Sequence, residues 1–150
     1  VVRSASAFQS YWNNSSATIE SIHEGWYCTG DMGVLDEYGY LYLVDRKKDM
    51  TISGGENIYC REVEEALSSH AAVLDAAVIG VPDSKWGEAV KAVVKLKPGA
   101  GLDAETLIAH CKSQLANYKC PKSVDIVDEL SRLPTGKLNK PLLRDRYRQS

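Results

Sequence analysis

A helix pattern followed by two strand patterns constrains the fold more than any other feature of the chain. Residues 61–70 carry apolar side chains at the i, i+3 and i+4 spacing, which predicts an amphipathic helix. Its inner face would consist of Val63, Ala66 and Leu67. The apolar run over residues 73–81 predicts a buried strand that ends at Pro82. Residues 90–97 alternate between apolar side chains and lysines, which predicts a second strand.

The remaining patterns complete an α+β domain. They predict a hairpin over residues 32–44, a strand over 50–53, a helix capped by Asp103, a strand over 123–127 and a helix over 140–148. The fold class that we expect is therefore α+β, with a small mixed sheet flanked by helices and preceded by a β-hairpin.

Charge and composition exclude several function classes. The net charge is −2 with acids and bases interspersed, so we expect no basic face for nucleic acid. No apolar run is long enough to form a transmembrane segment. The four cysteines form no C-x-x-C pair and the three histidines complete no zinc spacing, so we expect no metal site. Reduced cysteines fit a cytoplasmic protein best.

The chain divides into two segments of different character. Residues 1–45 are aromatic-rich, broken by turns and too short to bury a core of their own. We expect them to be the trailing β segment of a large N-terminal domain that this chain lacks. Residues 46–150 are expected to form a C-terminal α+β lid domain that includes a hinge. Because the sequence opens on a strand-like pattern at Val1, we expect it to be a piece of a longer polypeptide.

The first candidate motif is Thr29-Gly30-Asp31. A carboxylate at such a tight turn suits hydrogen bonds from a pair of sugar hydroxyls. The alternative is that Asp31 stabilises its own turn, which is the commonest role of Asp beside Gly.

The second candidate motif joins the charged run 45–49 to the turn at 53–57. Arg46, between two segments, can contact a nucleotide. The Gly54-Gly55 pair lets the backbone approach a ligand closely. The alternative is a solvated linker followed by an ordinary hairpin turn.

The third candidate motif is Pro134-Thr135-Gly136-Lys137. A lysine on an extendable loop can bring a point charge to a phosphate or a developing oxyanion and withdraw it again. The spacing of a Walker loop is missing. The alternative is an exposed surface lysine.

The three motifs, in this order, closely resemble the adenylate-forming superfamily, which includes acyl- and aryl-CoA synthetases, luciferases and peptide-synthetase adenylation domains. The resemblance covers nearly the whole chain. It implies that Asp31 and Arg46 contact the ATP ribose, that Lys48 is the hinge, and that Lys137 is the catalytic lysine and also contacts ATP. The CoA-binding positions that it implies are Gly54, Gly55, Glu56, Asn57 and Trp86. For Trp86, core packing is an equal alternative.

The resemblance also implies a two-step reaction with ATP and CoA. A carboxylic acid, fatty or aryl, would form an acyl-adenylate, and CoA would convert it to a thioester. Mg²⁺ is expected with ATP, although no residue of this chain is an evident ligand. The large N-terminal domain of the same polypeptide is the other partner implied.

Two other functions stay open at this point. One is a stand-alone module that binds CoA or a partner protein. The other is an adenylation domain that loads a carrier protein. For the ligase fragment, we expect a chain that folds from Arg46 onward and has no ligase activity alone.

Overall fold

The computed structural model describes residues 1–148 and divides into two compact units, residues 1–48 and the chain from Asp49 onward. The elements of the first unit are α1 (Ser15–Ser21), β1 (Ile22–His23), β2 (Trp26–Tyr27), β3 (Asp31–Leu35) and β4 (Leu41–Arg46). Among the described residues, no helix has the length and apolar content that a bilayer crossing requires.

The β3–β4 hairpin of the first unit is confirmed. Its strands pair antiparallel, and the Asp36 carboxylate accepts hydrogen bonds from the backbone N–H groups of Tyr38 and Tyr40 at 2.9 and 2.8 Å. This Asx turn explains why the chain reverses there. Helix α1 was not predicted, because this helix of 7 residues buries no side chain and so shows no apolar stripe.

The second unit contains the sheet and the remaining helices. After a 3₁₀ turn at Lys47–Asp49, its elements are β5 (Met50–Ser53), β6 (Glu56–Tyr59), α2 (Cys60–Ser68), β7 (Val73–Asp83), β8 (Gly87–Leu96), α3 (Ala104–Gln114), β9 (Ser123–Ile126) and α4 (Lys140–Arg148). Four strands follow the order β6-β5-β8-β7, and β9 pairs parallel with β8. The predicted α+β class with a small mixed sheet is confirmed.

Both faces of the sheet are covered. On one face, α2 and α3 enclose a core that includes Val63, Leu67, Val78, Val94, Leu107 and Cys111. On the other face, α4 contributes Leu143 to a smaller core with Ala77, Ile79, Val93 and Leu130. The predicted inner face of α2 is confirmed, since Val63, Ala66 and Leu67 are all buried.

The prediction that Pro82 ends the seventh strand is wrong. Strand β7 continues through Pro82 to Asp83, and these two residues pair with Glu88 and Gly87 of β8. A proline fits here because β7 lies at the edge of the sheet, where a missing N–H need not interrupt the ladder. Strand β6 was not predicted either, because its four residues alternate too weakly to be recognised.

Two ion pairs tie α4 to the rest of the second unit. Lys140 Nζ lies 2.8 Å from Glu64 Oε1 of α2, and that oxygen also accepts a 2.7 Å hydrogen bond from the backbone N–H of Val78. Burial by itself lowers the pKa of Lys140, but the Glu64 carboxylate outweighs it, so the pKa is raised. One turn later, Arg144 Nη2 lies 2.7 Å from Asp49 Oδ1. The carboxylate of Glu64 therefore links α2 to the edge strand β7 and to α4.

We predict that Glu64→Gln destabilises the fold by about 2 to 3 kcal/mol, because it leaves the Lys140 ammonium without its countercharge in a largely buried site. Urea unfolding of wild type and variant would measure the loss.

The same substitution at Glu65 of α2 is the matched control. Glu65 pairs with Arg61 on the exposed side of the helix, so Glu65→Gln should cost less than about 0.5 kcal/mol. Equal losses for the two variants would contradict the role given to Glu64. Adding Lys140→Met to Glu64→Gln should recover part of the loss, since it removes the orphaned charge.

Candidate functional site

Asp31 and Arg46 stand opposite each other on the β3–β4 hairpin. They are cross-strand partners, and Arg46 Nε lies 3.1 Å from Asp31 Oδ1. The backbone N–H of Asp31 donates to the Thr29 hydroxyl at 3.1 Å, which leaves the carboxylate to pair with the arginine. The Arg46 side chain is 64% exposed and retains free donors for a ligand.

A cavity of about 510 Å³ opens beside this pair in the first unit. Its lining includes Tyr11, Tyr27, Thr29, Arg46, Lys47 and Lys48. The Tyr11 and Tyr27 hydroxyls lie 3.4 Å apart, and the hydrogen bond between them raises the pKa of Tyr27. Three cationic side chains and one acidic side chain, Glu20, line the cavity, a balance of charge that suits an anionic ligand with hydroxyl groups.

In the second unit, the fold brings the Gly54-Gly55 turn to Trp86. The backbone N–H of Gly54 donates to the Trp86 carbonyl at 2.9 Å, and Ser53 pairs with Gly87. Gly54 has a φ of +59°, and a Cβ on it would lie 2.8 Å from Trp86 Cε3. Only glycine therefore lets the turn rest directly on the indole.

Trp86 belongs to neither core. Its side chain is 42% exposed, and the Lys85 ammonium lies 4.6 Å from the ring centroid. Asp83 holds this turn by accepting hydrogen bonds from the backbone N–H groups of Trp86 and Lys85, each at 2.9 Å. These two bonds lower the pKa of Asp83. The predicted CoA-binding residues before and after β7 thus form one exposed surface with an indole in it.

Lys137 ends a small closed hairpin. The Leu133 N–H donates to the Lys137 carbonyl and the Gly136 N–H to the Leu133 carbonyl, both at 2.8 Å. Gly136 has a φ of +81°, which the turn requires. The Lys137 side chain is exposed, and none of the ion pairs among residues 1–148 includes it. Its charge is therefore available to a ligand.

The Lys137 hairpin and the Gly54 turn lie near opposite ends of β7. Arg132, at the base of the hairpin, pairs with Asp75 near the start of the strand, whereas Trp86 follows its end at Asp83. The eight residue steps between Asp75 and Asp83 span about 26 Å at 3.3 Å per residue. The contact of Arg132 was not predicted, because no local sequence pattern indicates a partner so far away along the chain.

The described residues include no group of three or more His, Cys, Asp or Glu side chains that could hold a metal ion. None of the four cysteines forms a disulfide with another described residue, and Cys60, Cys111 and Cys120 are buried. Burial raises the pKa of Cys111 to about 11, as expected for an unreactive core thiol.

Comparisons with known proteins give a consistent result. The AMP-binding enzyme C-terminal domain family matches residues 62–137. The long-chain-fatty-acid–CoA ligase of Bacillus subtilis (strain 168) is 49% identical over 92% of this chain and 25% of its own length. The feruloyl-CoA synthase of Amycolatopsis sp is 45% identical over 98% of this chain and 30% of its own length. The structure of ATP-bound MatB from Rhodopseudomonas palustris matches with a TM-score of 0.86 and 39% identity, over 94% of this chain and 28% of that protein.

The chain therefore spans between 25% and 30% of the length of these three proteins. The matches run through the first unit as well as the second, since the feruloyl-CoA synthase aligns over 147 residues.

We predict that Gly54→Ala displaces the Trp86 indole, because the new Cβ would overlap the ring. In a chain that also carries Trp12→Phe and Trp26→Phe, Trp86 is the remaining tryptophan. Its fluorescence emission should shift to longer wavelength as the ring moves into water.

Gly55→Ala is the matched control. Gly55 also has a positive φ, +86°, but a Cβ there would meet nothing within 4 Å. Both variants carry backbone strain, and Gly54→Ala should cost about 1 kcal/mol more because of the overlap. An unchanged Trp86 emission in Gly54→Ala would contradict the contact.

Proposed function

Because this chain belongs to the AMP-binding enzyme C-terminal domain family, we propose that it is the C-terminal part of an AMP-forming acid:CoA ligase. The observation that carries the proposal is Lys137, an exposed lysine without an ion-pair partner among the described residues, held at a hairpin within the family match. The CoA ligase names of the relatives support this reaction class.

The proposed reaction has two steps. A carboxylate oxygen of the acid attacks the α-phosphorus of ATP, which releases pyrophosphate and forms an acyl-adenylate. The thiol of CoA then attacks the acyl carbon, loses its proton and displaces AMP to give the thioester. Lys137 would stabilise the negative charge that develops on the oxygens around the α-phosphorus, a contribution of several kcal/mol in a site without water.

We propose that Asp31 and Arg46 hold the ribose of ATP. A carboxylate accepts hydrogen bonds from vicinal hydroxyls, and the exposed guanidinium of Arg46 has donors left after pairing with Asp31. The cavity of about 510 Å³ that Arg46 lines together with Lys47 and Lys48 supports this proposal. Mg²⁺ would arrive with the ATP phosphates, and the described residues do not form a site for it.

We propose that CoA contacts the surface around Trp86. The residues that would contact its pantetheine are Gly54, Gly55, Glu56, Asn57 and Trp86. Because Gly54 packs directly on the indole, the turn does not project above the ring. The extended pantetheine of CoA could therefore pass over it. The exposed indole offers an apolar face to the methyl groups of pantetheine.

Lys48 is the proposed hinge. It is the last residue of the first unit, and Asp49 begins the second. Since about 26 Å separates Asp75, beside the Lys137 hairpin, from Asp83, beside the Gly54 turn, one reaction centre cannot use both at once. Rotation about Lys48 would withdraw Lys137 after adenylation and present the Gly54 turn for thioester formation.

We also propose that residues 1–45 are the trailing β segment of a large N-terminal domain. The β3–β4 hairpin exposes apolar side chains on both of its faces, which an isolated hairpin in water would not favour. Exposures of 59–78% are found at Val34, Leu35, Tyr38, Tyr40, Leu41, Tyr42 and Leu43. Packing against such a domain would cover them.

The substrate that we propose is a fatty or aryl carboxylic acid. We also propose that the ligase acts in the cytoplasm. The two alternatives are a module without a reaction of its own, which binds CoA or a partner protein, and an adenylation domain that loads a carrier protein. The relatives that form free CoA thioesters support the ligase over both.

We predict that Lys137→Ala in the full-length ligase lowers the adenylation rate by at least about a hundredfold. Thioester formation from supplied acyl-adenylate should stay within about twofold of wild type, because that step does not use the ammonium. Pyrophosphate release and thioester formation would be measured separately. Lys97→Ala, which truncates another exposed lysine, is the control.

The hinge gives a prediction of the opposite kind. Lys48→Pro should slow thioester formation and spare adenylation, because a fixed φ blocks the rotation. Lys48→Ala, which keeps φ free, should leave both half-reactions near the wild-type rate. A normal rate of thioester formation in Lys48→Pro would show that Lys48 is not the hinge.

A further inference from the structure

We propose that Arg132 is a positioning residue that fixes the Lys137 hairpin against the edge strand β7. The inference rests on the proposed function, because it concerns how precisely the Lys137 ammonium meets the adenylation centre. It assigns a role to a side chain that lies outside the motifs found in the sequence.

The Arg132 guanidinium makes two contacts that no other side chain combines among residues 1–148. Its Nη1 donates to the Gly136 carbonyl at 2.5 Å, and its Nη2 donates to Asp75 Oδ2 of β7. The planar fork of arginine can hold both acceptors at once. A continuous path of contacts therefore runs from the sheet through one side chain to the peptide bond that joins Gly136 to Lys137.

A β-bulge at Leu74 affects the orientation of Asp75, the partner of Arg132 in β7. Val73 pairs with Leu96 and Asp75 with Lys95, so Leu74 is an extra residue in β7. Its side chain is 52% exposed. A bulge redirects the side chains that follow it, and here the next residue is Asp75.

Hydrogen bonds within the hairpin do not replace the contacts of Arg132 that tether the hairpin to β7. The bonds between Leu133 and Lys137 and between Leu133 and Gly136 close the turn on itself. Leu138 packs against the smaller core and anchors the base of the hairpin. The tip from Leu133 to Gly136 is exposed, so its orientation relative to the sheet depends on Arg132.

This arrangement predicts a selective kinetic defect in Arg132→Gln. The hairpin would still form and Lys137 would keep its charge, but the ammonium would sample more orientations. The kcat for adenylation should fall about two- to fivefold, the range that a partly exposed charged contact supports. The KM values for ATP and acid, and thioester formation from supplied acyl-adenylate, should not change.

The test uses the full-length ligase and assays Arg132→Gln and the variants below for both half-reactions. Arg132→Lys should recover only part of the adenylation rate, because one ammonium cannot reproduce the fork. Asp75→Asn should give a similar defect, and the double variant with Arg132→Gln should be no worse than the poorer single variant. Arg61→Gln, which removes another largely exposed guanidinium that pairs with Glu65, is the control.

A second readout does not depend on activity. A protease that cuts only after lysine should cleave the Lys137–Leu138 bond faster in Arg132→Gln than in wild type, because the loosened hairpin fits a protease cleft more easily. Cleavage after Lys85, in the exposed turn between β7 and β8, is the internal reference.

The outcomes separate this inference from the proposed function. Unchanged adenylation kcat and cleavage in Arg132→Gln, with adenylation lost in Lys137→Ala, would overturn the inference alone. Equal loss of both half-reactions in Arg132→Gln would show general damage and also overturn it. Normal adenylation in Lys137→Ala would instead defeat the proposed function, while faster cleavage in Arg132→Gln would still show the tether.

Discussion

The long antiparallel pairing of β7 with β8 is the constraint on which the rest of the second unit depends. It runs from Val73 and Leu96 to Asp83 and Gly87, so it supplies both the apolar faces on which the helices pack and two well-separated ends. The Trp86 turn closes one end and the Arg132–Asp75 contact marks the other. A shorter strand pair would bring the two candidate surfaces together, and a register slip would turn the core residues outward.

Electrostatic contacts attach the functional segments to this frame. Lys140 and Arg144 lie four residues apart on α4 and reach Glu64 and Asp49, both with little exposure. Such pairs gain less than their Coulomb attraction suggests, because each charge loses water. Their value here is geometric, since they fix how α4 lies on the sheet. The helix starts three residues after Lys137, so its placement also limits where the lysine hairpin can begin.

The sequence was sufficient where a signal repeats along the chain. The periodic apolar residues of α2 and the alternation in β8 predicted both elements, and the Asp103 cap predicted the start of α3. The end of β7 was predicted wrongly at Pro82. An edge strand tolerates proline, and the sequence does not show that β7 has a neighbouring strand on one side only. The resemblance located Asp31 and Arg46 separately, whereas their pairing needed the hairpin register. Arg132 stayed hidden because its partner Asp75 is 57 residues away and depends on a bulge.

The outer edge of β7 also affects the tendency of the protein to aggregate by strand pairing. An exposed strand edge invites another chain to add a strand, which leads to aggregation. Along this edge, the Ala76 N–H donates to the Asp75 carboxylate and the Val78 N–H to Glu64, while Pro82 has no N–H to offer. A foreign strand would find these donors already occupied or missing. The same side chains that orient the hairpin and the last helix thus leave fewer free donors on this edge for another chain to pair with.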